Sequence, residues 1–90
     1  MKSQRKKAVY LIKCGEYTKI GYGTDPRVRE SMLDIGNPYE TDLLYALKVE
    51  NPTETERKLH NLFQDKKIKG EWFRLEGIDI WDAILLIVGS

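Results

Sequence analysis

Ninety residues, 41% hydrophobic and 32% charged, exclude a disordered or fibrous chain and allow one core, since a chain this short buries only about 60 to 65% of its unfolded surface. Fifteen basic residues against 14 acidic ones leave a net charge of +1, which excludes holding nucleic acid by overall charge and confines any such contact to local patches. Cys14 is the only cysteine, so neither an internal disulfide nor a cysteine zinc cluster is expected.

Residues 1–7 read as a basic segment carrying Lys2, Arg5, Lys6 and Lys7, and residues 8–90 as a single domain. The segment serves either as a patch for an anionic partner or as a solvated terminus. Lys13 interrupts the apolar run Ala8 to Ile12, which is too short for a signal peptide, and a cytoplasmic location is the expectation. Ala8 to Ile12 is apolar on both faces of a period-2 pattern, as in a central strand covered on each side. Cys14, Gly15 and Glu16 make a turn, and Tyr17 to Tyr22 a second strand.

Asp25 and Pro26 start a first helix that runs to Ile35 and stops at Gly36, burying Val28, Met32 and Ile35. After the Asn37-Pro38 turn, Leu43, Tyr45, Leu47 and Val49 alternate as a third strand. Asn51 and Pro52 cap a second helix reaching Asp65, with Glu54 placed to complete a capping box. Gly70 breaks the chain, Glu71 to Leu75 is extended, and Asp79 to Val88 forms a last helix. That helix is about half a membrane span and carries Asp79 and Asp82, so no membrane partner is expected. The order β-β-α-β-α-(extended)-α predicts an α/β (α+β) fold, a small, mainly antiparallel sheet covered by helices.

Glu56, Leu59, His60 and Phe63 fall on one helical face, so a carboxylate heads a stripe that otherwise turns inward. A buried carboxylate needs a cation, a metal or a donor. The alternative is a later helix start, in which Glu56 closes a capping box with Thr53. Arg29 suits a phosphate, or shares an ordinary surface with Arg27. His60 alone is a satisfied helix histidine and Tyr10 a core aromatic with its hydroxyl at the rim. Lys66, Lys67 and Lys69 form a basic patch or an exposed helix end.

The order of these pieces adds to what each one says. Val9-Tyr10-Leu11-Ile12, Lys19-Ile20-Gly21, Thr24-Asp25-Pro26 with Arg29, Gly36-Asn37-Pro38, Glu56 with Leu59-His60 and Phe63, then Gly70-Glu71-Trp72-Phe73 together resemble the GIY-YIG nuclease superfamily, in its short phage-type DNA-binding domain branch. The resemblance covers about residues 8–75. It implies a three-stranded antiparallel sheet flanked by helices, and a DNA endonuclease using a single Mg²⁺ or Mn²⁺. Tyr10 then sits by the attacking water as a general base, Arg29 contacts the scissile phosphate, Glu56 holds the metal, and His60 orients the site or carries a proton. Tyr17, Arg27, Lys66, Lys67 and Lys69 are expected along the nucleic acid.

One position departs from the pattern. Lys19 stands where the second motif has a tyrosine, and Tyr17 lies two residues earlier on the same strand face. Lys19 offers a fixed cation but no base unless its pKa falls strongly. Two other functions therefore compete with the nuclease: a catalytically reduced nucleic-acid-binding module, and a protein-interaction subunit. The second rests on Trp81, Ile84, Leu85, Ile87 and Val88 of the last helix, a surface for a homodimer or a partner protein.

Overall fold

The structure is a computed structural model and describes residues 7–24 and 41–90. The first predicted helix, with Arg27 and Arg29, lies outside the described residues.

Strands β1 (Ala8–Cys14) and β2 (Tyr17–Gly23) pair antiparallel, from Ala8 opposite Gly23 to Cys14 opposite Tyr17. Gly15 and Glu16 are the turn between them, and Gly15 takes φ 62°, the first-position geometry for which tight hairpins favour glycine. Strand β3 (Thr41–Lys48) pairs along the other edge of β1. Its register slips between Leu11 opposite Tyr45 and Ile12 opposite Leu43, so Leu44 is the extra residue of a bulge. The slip corrects the even alternation predicted for this strand: Leu43 shares the face of Ile12, while Tyr45 shares the face of Leu11. β1 is an interior strand, between β3 and β2, and as predicted it is covered on each side: both its Val9 and Leu11 face and its Tyr10 and Ile12 face are buried.

Among the described residues, five strands form the sheet rather than three, in the order β3-β1-β2-β5-β4. The added pair is β4 (Lys67–Lys69) and β5 (Trp72–Phe73), a hairpin turned at Gly70, whose φ is 57°. The predicted extended segment thus joins the sheet: Phe73 pairs with Thr18 and Trp72 with Lys19. Strands this short carry too few residues for a periodic signal.

Helix α1 (Pro52–Leu62) starts where the Asn51-Pro52 pair places it, with Asn51 Oδ1 accepting from the Glu54 amide at 3.3 Å. It ends at Leu62, and a 3₁₀ turn at Gln64–Lys66 replaces the predicted extension to Asp65. Glu54 pairs with Arg57 one turn on, a use of its carboxylate that the capping-box prediction had assigned to the helix start. Leu59 and Phe63 enter the core beside Val9, Leu11, Ile20 and Phe73.

Helix α2 (Gly77–Val88) begins two residues before the predicted Asp79, because Asp79 closes a capping box with Glu76 and accepts the Glu76 amide at 2.9 Å. Lys66 Nζ donates to both Asp79 oxygens, at 3.0 and 2.9 Å, tying the 3₁₀ turn to the helix. The Glu76 N–H first, then the Lys66 ammonium, hold the Asp79 carboxyl below its usual range. A lowered folded-state value stabilises the fold above the ordinary aspartate pKa, and that contribution is lost as pH falls through the lowered one. Asp79→Ala is therefore expected to cost about 1 to 2 kcal/mol at neutral pH, with the deficit shrinking in acid, as urea melts across pH would read. Ala83 and Ile87 face the core, while Ile78, Trp81, Leu85 and Val88 line an exposed face. Among the described residues, no helix is long and apolar enough to cross a membrane.

Candidate active site

The pairing of β2 with β5 stops at Thr18 and Lys19, and the strand edge beyond them is finished by other groups. The Ile20 amide donates to the Glu71 carbonyl at 3.0 Å, and the Ile20 carbonyl meets His60 Nε2 at 3.2 Å. A carbonyl only accepts, so this contact requires the hydrogen on Nε2. The imidazole also packs edge-on against Phe73, with ring centroids 4.9 Å apart. His60 is thus fixed at the sheet edge, one helical turn beyond Glu56.

Tyr10 lies opposite Gly21 in the β1–β2 register, and the missing side chain matters. A Cβ on Gly21 would stand 2.8 Å from Tyr10 Oη, 3.0 Å from its Cζ and 3.2 Å from Glu71 Oε1. Gly21 thereby lets a phenol and a carboxylate converge on one spot. Lys19, two residues back on the same face, places Nζ 3.1 Å from Glu71 Oε1 and 5.6 Å from the centre of the Trp72 ring.

Glu56 closes the cluster from α1. Its Oε2 is buried without a hydrogen-bond partner. Burial first, and then the adjacent Glu71 carboxyl, push Glu56 above the usual glutamate range, against an opposing pull from His60 and Lys19. The competing capping-box register is not adopted, because Asn51 is the cap and the Thr53 hydroxyl donates to Tyr22 Oη at 3.2 Å.

Of the residues singled out in the sequence, Tyr10, Lys19, Glu56 and His60 come together here. Tyr17 sits at the turn end of β2, on the same face as Lys19 and partly exposed. Lys67 and Lys69 lie exposed on the outermost strand, whereas Lys66 is engaged by Asp79. A separate shallow cleft of about 630 Å³ opens among Lys13, Lys66, Lys67 and Arg74, and none of the four clustered residues lines it. Glu71 and Gly21 complete the site, although their sequence context assigns neither a chemical role. A glutamate after a turn glycine reads as solvent-facing, and only the strand register brings it back to Lys19.

Among the described residues, no group of three or more His, Cys, Asp or Glu side chains is arranged to hold a metal ion. Mg²⁺ needs less, because it commonly binds through one or two carboxylates and keeps several waters. An unpartnered, buried carboxylate oxygen beside a second carboxylate fits that requirement.

An α+β fold with an antiparallel sheet flanked by helices is consistent in general terms with a GIY-YIG-like topology. The chain belongs to the T5orf172 domain family, whose family model matches residues 7–88. That domain is often associated with GIY-YIG-like nuclease folds. No curated protein and no solved structure matches the chain.

Proposed function

We propose that this chain is a divalent-metal-dependent endonuclease that hydrolyses DNA phosphodiester bonds, of the short phage-type branch of the GIY-YIG superfamily. The observation that carries this reading is the buried, unpartnered Oε2 of Glu56 at the edge where Tyr10 and Lys19 also arrive. A buried carboxylate without a partner is costly, and a functional role is a reason for a chain to keep one. Glu56 is the residue that would hold a single Mg²⁺ or Mn²⁺, which when bound supplies positive charge to the phosphate and leaving oxygens.

The chain's own groups divide the remaining work. Tyr10 is assigned the general-base role: its phenol first gives up its own proton, and the phenolate then takes one from the attacking water. Lys19, held beside Glu71, supplies a fixed positive charge toward phosphate and leaves the base role to Tyr10. His60 fixes the edge by holding Ile20, and Arg29 is assigned the scissile phosphate through the family resemblance. Tyr17, Arg27, Lys67 and Lys69 extend the contact along DNA, and Lys66 joins them only by leaving Asp79.

One observation favours a second reading, a binding module that no longer cuts. Lys19 already places a cation against the carboxylate cluster. Supercoiled plasmid separates the two readings. The nuclease nicks it with Mg²⁺ or Mn²⁺, and Glu56→Ala and Arg29→Ala each abolish nicking. Salt-dependent binding without metal-dependent cleavage selects the module instead. The exposed Ile78, Trp81, Leu85 and Val88 face of α2 supports a contact with a second copy or a partner protein, and sedimentation of Trp81→Ser beside the parent chain would reveal self-association.

A further inference from the structure

We infer that Glu71 is the second carboxylate of the cation site, and that the Lys19 ammonium is a resident charge which an incoming divalent ion must displace from it. The inference rests on the proposed metal role of Glu56 and adds two residues to it. Glu71 is placed by backbone rather than by side-chain chance. Its carbonyl accepts from Ile20 at 3.0 Å, Gly70 at φ 57° turns the chain into it, and Trp72 beyond it is paired with Lys19. Its Oε1 comes to 3.2 Å from the point a Gly21 Cβ would occupy, beside the Tyr10 phenol.

Two neighbouring carboxylates repel unless they share a proton or a positive charge lies between or beside them. Lys19 meets that need only in part. Its ammonium stands 3.1 Å from Glu71 Oε1, while Oε2 of Glu56 remains without a partner. A divalent ion engages both carboxylates with hard oxygen donors and fills its remaining positions with water. The Glu71 side chain is 41% exposed, so the site is open to an ion arriving from solvent. Lys19 has somewhere to remain once displaced, because its ammonium already lies over the Trp72 ring.

The two residues should therefore move metal affinity in opposite directions. Mn²⁺ is titrated into the chelator-stripped chain, with bound and free ion separated by electron paramagnetic resonance. Glu71→Gln is expected to weaken Mn²⁺ binding by about tenfold or more. Lys19→Gln is expected to tighten it several-fold, by removing a competing charge. A purely structural role for the ion pair predicts loss in both variants, and would overturn the inference. Should Glu71→Gln prove unstable by thermal melt, the sign of the Lys19→Gln change still decides. If Glu56→Gln loses Mn²⁺ while neither Glu71→Gln nor Lys19→Gln alters it, the nuclease reading stands and this inference falls. If the parent chain binds no more Mn²⁺ than Glu56→Gln does, both fall.

Discussion

Glu56→Gln is expected to stabilise the protein at neutral pH while lowering its metal-dependent nicking of plasmid by about 10² to 10³-fold. The stability gain follows from the buried Oε2 that has no partner, since glutamine keeps the shape and removes the charge. Burial and the Glu71 carboxyl raise the folded-state pKa of Glu56. A raised value means that Glu56 supports folding most below the ordinary glutamate range, and that this support is lost as pH rises through the raised value. The variant should therefore melt higher than the parent at neutral pH, with the difference narrowing toward about pH 4. The activity loss follows from removing a charged metal ligand, an effect worth several kcal/mol at the transition state and hence two or three powers of ten in rate. Equal stability at all pH values would mean that Glu56 has a partner in solution. Undiminished nicking would place the chemistry elsewhere.

Gly21→Ala should be the most damaging small substitution in β2. Replacing glycine in an extended strand ordinarily stabilises by about 0.4 to 1 kcal/mol, through the unfolded chain's entropy. Here the new methyl would stand 2.8 Å from Tyr10 Oη and 3.0 Å from Cζ, and the ring cannot swing clear because Tyr10 is only 1% exposed. Overpacking of this kind costs about 1 to 3 kcal/mol, which outweighs the entropic gain. Nicking should fall with it, since the methyl displaces both the phenol and the Glu71 carboxylate. Gly77→Ala is the control: nothing lies within 4 Å of its Cβ position, and it opens α2, so chemical melts should find it neutral or slightly stabilising.

The parts of the site that were legible in the sequence are those with a local cause. Asn51 and Pro52 set the start of α1, and that start turns Glu56, Leu59, His60 and Phe63 toward the sheet in one stripe. The apolar run at Ala8 to Ile12 marked an interior strand because both of its faces are covered. What escaped the sequence depends on pairing between distant segments. Strands β4 and β5 are too short to show a period, so the sheet gained two strands and Glu71 its place beside Lys19 only through the β2–β5 register. The bulge at Leu44 inserts one residue into an otherwise even alternation, and no local residue type announces it. In α2, composition alone could not separate buried Ala83 and Ile87 from exposed Trp81 and Leu85, because both faces are apolar. The Lys19 departure was legible as a missing tyrosine, but its ion pair with Glu71 was not.

The chemistry proposed for this site depends most on whether Glu56 holds a cation facing Tyr10. An anomalous difference map from crystals of this chain soaked in Mn²⁺ tests that directly. The expected result is a peak about 2.0 to 2.2 Å from Glu56 Oε2, on the side of Tyr10 and Glu71. A map with manganese bound only at other carboxylates, and Glu56 instead sharing a proton with Glu71, would contradict it.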